Sequence, residues 1–355
     1  MRTLIVLAAL ALVPGGASAQ DAKRVHAGIE LGGRGVKCTV LEVMPDGLLR
    51  RLMARTTNTT LSVLDAKGDF RKEAMDEAVK AIADFHKTCR ETYELPDARI
   101  HVVGSSGVPE AKNRAAFVAA VKKATGADMV FIDDKTEVAL TFLGVVPKAE
   151  RGEAVALDIG GGNTKGGYIT DKNSLIYVAV PLGSVTFTTK VRAAQKLAKG
   201  EAFEVVAARL RGEELVKPLG DGARAMPELG RRKKVYLSGG MVWAMTSILR
   251  PEAVDDAYVT FTKKDIDAFA KLVHKTPGKM PGIDLNRIDD AGRRLRALAQ
   301  LEAVGKVYQA ENLVAGAEIL SAMATAFDLG EKTVIFPRNG SFGWLTAYIA
   351  GEKAP

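Results

Sequence analysis

Two short segments carry an acid, a glycine turn and a lysine at the same offsets. Glu30-Leu31-Gly32-Gly33-Arg34-Gly35-Val36-Lys37 lies without gaps over Asp158-Ile159-Gly160-Gly161-Gly162-Asn163-Thr164-Lys165, 128 residues later. Consecutive glycines lack the Cβ that blocks close approach, so backbone N–H groups can converge on an anion, and a nest of amides suits phosphate oxygens. Each acid adds a carboxylate beside its turn. Two matched copies favour a pair of facing phosphate loops over two ligand-free hairpins. Arg34 either clamps a phosphate bidentately or projects into solvent.

The elements around these turns repeat as well. Apolar, β-rich runs precede them (25–31 and 154–159) and follow them (36–43 and 164–169), so each is a glycine-turn hairpin. Second turns, Met44-Pro45-Asp46-Gly47 and Asp171-Lys172-Asn173, lead to third strands near 48–57 and 174–181. Helical periodicity follows at 70–92, and at 185–197 with 202–210. Then come strands 99–103, running into Gly104-Ser105-Ser106-Gly107, and 234–237, running into Ser238-Gly239-Gly240 before a helix. Two such halves face each other across a cleft, the expected site. The Gly- and Pro-rich stretches 219–228 and 276–284 read as loops, the second a candidate rim of the cleft.

The composition sets limits. The 355 residues, 47% apolar and 26% charged, exclude disorder and allow two domains. The net charge of +8 mildly favours anionic ligands, but no basic arm with interleaved aromatics marks a specific nucleic-acid groove. The histidines and cysteines have no zinc-site spacing. Arg2, an apolar run over 4–13 and Ala17-Ser18-Ala19 read as a secretory signal peptide over 1–19, hence export to the periplasm. No segment reads as a membrane span. In that oxidising space Cys38 and Cys89 form either one disulfide or two buried thiols. The run Arg231-Arg232-Lys233-Lys234 reads as a solvated charge run.

In these residues the chain resembles the actin, heat-shock-chaperone and sugar-kinase superfold. Within it, the chain is similar to the exopolyphosphatase and guanosine pentaphosphate phosphatase (Ppx/GppA) family. The resemblance is carried by 28–33, by Gly104-Ser105-Ser106-Gly107-Val108-Pro109-Glu110-Ala111-Lys112-Asn113, and by 132–145, 156–164 and 236–248. It implies an α/β fold of two ribonuclease-H-like domains, with mixed sheets flanked by helices around a central cleft. Domain I spans 20–143, with the C-terminal helix of 340–355 packing back on it, and domain II spans 144–339.

The resemblance further implies Mg²⁺-dependent hydrolysis of a terminal phosphoanhydride, from inorganic polyphosphate or a related polyphosphorylated anion. Glu137 matches the water-activating glutamate. Asp158 and Glu30 match the metal-holding acids. Gly32, Gly33, Arg34, Gly35, Ser105, Ser106, Gly160, Gly161, Gly162, Asn163, Thr164, Lys165, Gly239 and Gly240 form the expected phosphate-binding set. The partner is a polyanionic phosphate, and the reading leaves room for a homodimer.

The sequence departs from the family at four places. Glu30 replaces an aspartate, Gly33-Arg34-Gly35 replaces Ser-Asn-Ser, Pro109 replaces an arginine and Lys165 replaces an acid of the metal site. Proline donates nothing, and a lysine repels Mg²⁺ while attracting phosphate. A binding or sensor protein with the same cleft therefore stands as the alternative to a hydrolase, ahead of an ATPase or sugar kinase.

Overall fold

The computed structural model describes residues 25–44, 49–61, 63–198 and 200–355. The signal-peptide reading, residues 1–19, and the turn at 45–47 lie outside the described residues. The first lobe opens with a meander of β1 (Val25–Leu31), β2 (Gly35–Val43) and β3 (Leu49–Asn58), followed by α1 (Lys72–Glu91), β4 (Ile100–Gly104), α2 (Arg114–Thr125) and β5 (Met129–Phe131). The sheet order is β3-β2-β1-β4-β5, antiparallel across the meander and parallel from β1 to β5. The central strand β1 is buried along its second half because both faces of the sheet are covered.

Helix α3 (Asp134–Val145) leads into the second meander, β6 (Ala154–Ile159), β7 (Thr164–Ile169) and β8 (Leu175–Val180). There follow α4 (Ser184–Leu197), α5 (Phe203–Arg211), α6 (Lys217–Arg224), β9 (Lys234–Ser238), α7 (Gly240–Leu249), β10 (Tyr258–Phe261), α8 (Lys263–His274), α9 (Ala291–Val307), α10 (Ala310–Ala326), β11 (Thr333–Pro337) and α11 (Gly343–Ile349). The second sheet runs β10-β11-β9-β6-β7-β8. Its β8-β7-β6-β9 portion reproduces β3-β2-β1-β4, so the repeat in the sequence is a repeat in the sheets.

Two helices fill the space between the sheets. Helix α3 lies on β6, β7 and β8, α11 lies on β1, and the two helices pack on each other. Leu41, Val103, Leu140, Trp344 and Leu345 form the apolar cluster joining α11 to the first sheet. Helix α10 is apolar nearly all round and is the buried centre of the second lobe, where it meets α4, α5, α6 and α8.

Three expectations change. The stretch 219–228 is not simply a loop, because α6 covers 217–224. Leu215, Leu219 and Ala223, spaced by four, present one apolar stripe that is buried, and this outweighs the glycines between them. The 276–284 loop does not line the cleft. Arg232 of the basic run is buried rather than solvated. It donates to the Arg151 and Ala154 carbonyls, pairs with Glu228 at 2.8 Å and stacks on Tyr168. Cys38 on β2 and Cys89 on α1 are free buried thiols with Sγ atoms 3.6 Å apart.

Gly144 marks the crossing of α3 and α11: a Cβ there would overlap the Gly343 carbonyl. Gly144→Ala should therefore cost about 1–3 kcal/mol despite its better helix propensity. Gly152→Ala, where a Cβ meets nothing within 4 Å, should not, and denaturant titration of both variants checks this.

His26 on β1 and His101 on β4 stack at 6.0 Å between ring centroids. Burial holds both imidazoles below the ordinary histidine value, and His86 likewise. The unfolded chain then takes up protons first as pH falls. The stability these groups allow is complete above about pH 6.5 and declines below it. Urea midpoints should fall between neutral pH and mildly acidic pH, and His26→Gln with His101→Gln should narrow that difference.

Candidate active site

The β-ladders set the charged groups opposite one another. In the first hairpin Glu30 faces Lys37 across β1 and β2; in the second Asp158 faces Lys165 across β6 and β7. Both pairs close, Lys37 Nζ to Glu30 Oε1 and Lys165 Nζ to Asp158 Oδ2, each at 3.2 Å. Lys165 also lies 2.9 Å from Glu137 Oε1 and donates to Asn163 Oδ1 at 3.0 Å. Its side chain is 1% exposed. Burial opposes its charge, but Glu137 and Asp158 outweigh burial and hold the ammonium well above the ordinary lysine value.

Glu137 is placed by a helix start. Asp133 caps α3, its carboxylate accepting from the Thr136 amide at 2.8 Å, and Glu137 falls in the first turn, where a negative charge complements the helix dipole. Glu137 Oε2 accepts from the Ser106 amide at 2.7 Å and from its hydroxyl at 2.6 Å. Asn163 Nδ2 donates to Ser106 Oγ at 2.8 Å and to Asp134 Oδ1 at 2.6 Å. One network thus joins the segment after β4, the start of α3 and the second hairpin turn.

The two glycine turns touch. A Cβ on Gly33 would stand 2.6 Å from the Gly162 nitrogen, and one on Gly162 would overlap the Gly107 carbonyl, so only glycine allows this approach. The turns are closed by Gly32–Gly35 and Gly160–Asn163 backbone bonds. Among the described residues the amides of Gly33 and Gly161 have no acceptor, and both residues line the cleft. That cleft, about 750 Å³ including its open mouth, is also lined by Gly32, Gly35, Ser105, Gly160, Gly239 and Gly240.

Four expected donors are used otherwise. Arg34 clamps protein rather than phosphate: it crosses to the second lobe and donates to the Val307 carbonyl, Asn312 Oδ1 and Ser184 Oγ at 3.0–3.1 Å, above the Tyr308 ring. Thr164 is fully buried, its hydroxyl donating to the Leu182 carbonyl. Ser106 serves Glu137 and Gly162 serves the loop contact, and neither lines the cleft. Sequence reasoning missed Trp243, Tyr308, Ser341 and Trp344 in the lining. It also missed Ser184 and Asn312, which hold Arg34; a buried asparagine near the start of apolar α10 was the available signal.

Among the described residues no group of three or more His, Cys, Asp or Glu could hold a metal. Mg²⁺ requires oxygens at about 2.0–2.1 Å in an octahedron, whereas an ammonium already lies between Glu137 and Asp158. Glu30 Oε2 is buried without a partner, yet one oxygen is no ligand set, and burial pushes the Glu30 carboxyl up against the pull of Lys37. With the Lys165 amine in place the residues do not fit Mg²⁺ between Glu137 and Asp158, which speaks against the expected role of Glu30 and Asp158 as metal-holding acids.

Lys165→Met should lower stability by about 3–5 kcal/mol, since it leaves Glu137 and Asp158 buried without their cation. Adding Asp158→Asn should recover part of the loss. A double-mutant cycle by urea denaturation reads that coupling.

Comparison with known proteins agrees with this architecture. The most similar solved structures include an exopolyphosphatase from Cytophaga hutchinsonii ATCC 33406, 17% identical, TM-score 0.67, covering 93% of this chain and 99% of that one. They also include the Ppx/GppA family member of Aquifex aeolicus, 18% identical, TM-score 0.61, covering 94% and 99%. At such identity the likeness shows the fold, the actin-like pair of α/β lobes with mixed sheets. The sequence model of the Ppx/GppA phosphatase family matches residues 43–257, well over half of the chain. On that match the chain belongs to the Ppx/GppA phosphatase family.

Proposed function

We propose that the protein is an exopolyphosphatase-type phosphoanhydride hydrolase that takes the end of inorganic polyphosphate, or of a related polyphosphorylated anion, into the cleft between its lobes. The observation that carries this reading is the meeting of both glycine turns, with unspent amides at Gly33 and Gly161, in a cleft that Glu137 also lines. The amides hold the terminal phosphate oxygens, and the Lys165 charge offsets negative charge nearby. Three of the roughly four lone-pair sites of Glu137 are engaged by Ser106 and Lys165, and the fourth orients a water. The water oxygen forms the new bond to the terminal phosphorus while the bridging P–O bond breaks, its electron pair staying on the shortened chain. The water proton passes to Glu137, and orthophosphate leaves.

One observation favours a second reading, binding without turnover: the ammonium of Lys165 faces Glu137 at 2.9 Å, where water would have to be activated. Export to the periplasm is proposed from Arg2, the apolar run at 4–13 and Ala17-Ser18-Ala19.

Phosphate release from long-chain polyphosphate and tripolyphosphate, measured beside binding of the same anions, separates these readings. The hydrolase reading expects release by the wild type and, in Glu137→Gln, binding with release reduced by about 10²-fold or more. Binding without release from either protein establishes the second reading. Neither binding nor release removes the phosphate site.

A further inference from the structure

Three carboxylates, Glu30, Glu137 and Asp158, converge on the cleft floor, and two ammonium groups, Lys37 and Lys165, stand against them. The arrangement is duplicated, because each hairpin register sets a lysine opposite its own acid. The three protons of Lys165 have three acceptors, Glu137, Asp158 and Asn163, at 2.9–3.2 Å. It therefore acts on a ligand through its charge rather than by a direct hydrogen bond. A divalent ion could reach the space between Glu137 and Asp158 only by displacing that amine. The amine is tethered to β7, fully buried and has no other described acidic partner.

We propose that Lys165, seconded by Lys37, is the resident cation of this site and stands in for a divalent metal, so that a polyphosphorylated anion binds here without magnesium. The inference rests on the phosphate-binding reading of the cleft. An approaching polyanion meets a floor carrying one net negative charge instead of the three that the carboxylates alone would present. Lys165 is a positioning residue: it neutralises Glu137 and Asp158 and fixes them where the loop amides can work.

Isothermal titration calorimetry tests this with two probes, tripolyphosphate and Mg²⁺ alone, in EDTA or magnesium buffer, with blanks for magnesium complexation in solution. The wild type should bind tripolyphosphate in EDTA within about threefold of its affinity in magnesium, and should show no uptake of Mg²⁺ alone. Lys165→Gln should bind tripolyphosphate at least about tenfold more weakly in EDTA, take up Mg²⁺, and regain affinity when Mg²⁺ is added. A merely structural lysine would not create that magnesium response.

Should Lys165→Gln fail to fold, Lys37→Gln, at the more exposed pair, should show the same response in smaller measure. Wild-type binding that appears only with magnesium overturns the resident-cation inference and leaves the phosphate-binding reading standing. Absence of tripolyphosphate binding in both buffers overturns the two together.

Discussion

A buried ammonium between two carboxylates is the constraint on which the rest of the site depends. Lys165 is tolerable at 1% exposure because Glu137 and Asp158 lie within 3.2 Å, and the amine in turn offsets the burial of both acids, Glu137 with the further help of Ser106. The three groups come from different places: Glu137 from the first turn of α3, Asp158 from the end of β6, Lys165 from the start of β7. Their mutual need fixes the height of α3 over the second sheet, and through Ser106 and Asn163 it fixes the segment after β4 as well. Charge satisfaction thus ties α3 and the second hairpin together in the lining of the cleft.

Arg34 makes a second tie in the opposite direction, from the first lobe to the second. The position matching it in the repeat is Gly162, and the two have diverged to complementary ends. Gly162 lets the loops touch, because any side chain there would strike the Gly107 carbonyl, whereas Arg34 is long enough to reach Ser184, Val307 and Asn312. Gly35 and Asn163 diverge similarly: a Cβ at Gly35 would overlap the Thr57 carbonyl, while Asn163 has room to bridge Ser106, Asp134 and Lys165. A duplicated hairpin has become an asymmetric joint without losing the acid–lysine pair that both copies share.

The parts legible in the sequence were those set by neighbours along the chain. Strand alternation, glycine turns and the acid-to-lysine spacing are local, and the register that pairs Glu30 with Lys37 and Asp158 with Lys165 follows from the hairpins themselves. Glu137 was legible through its family match, although its contact with Lys165 was not, because the spacing of Lys165 from Asp158 does not say which way the amine points. Arg34 was ambiguous for a like reason. Its partners Val307 and Asn312 lie more than 270 residues away, and no pattern near residue 34 foretells them. Arg232 looked solvated from its run of four basic residues, but it finds two carbonyls and Glu228 inside the fold. Composition assigns a charge to a segment, whereas burial is decided residue by residue.

A tethered amine in place of a dissociable metal would change what the site can do for a reacting phosphate. A divalent ion supplies two charges, open coordination positions and a bound water of lowered pKa. Lys165 supplies one charge, and its protons are already spent on Glu137, Asp158 and Asn163. It can therefore offset charge on the cleft floor but cannot generate hydroxide. On the proposed reading activation of water would fall to Glu137, whose Oε2 is held by Ser106 while Oε1 faces the amine. Such a carboxylate is held in a fixed orientation by three donors. On the proposed reading the cleft would first hold a polyphosphorylated end, and any turnover would require Glu137 to exchange its hold on the ammonium for a proton from water.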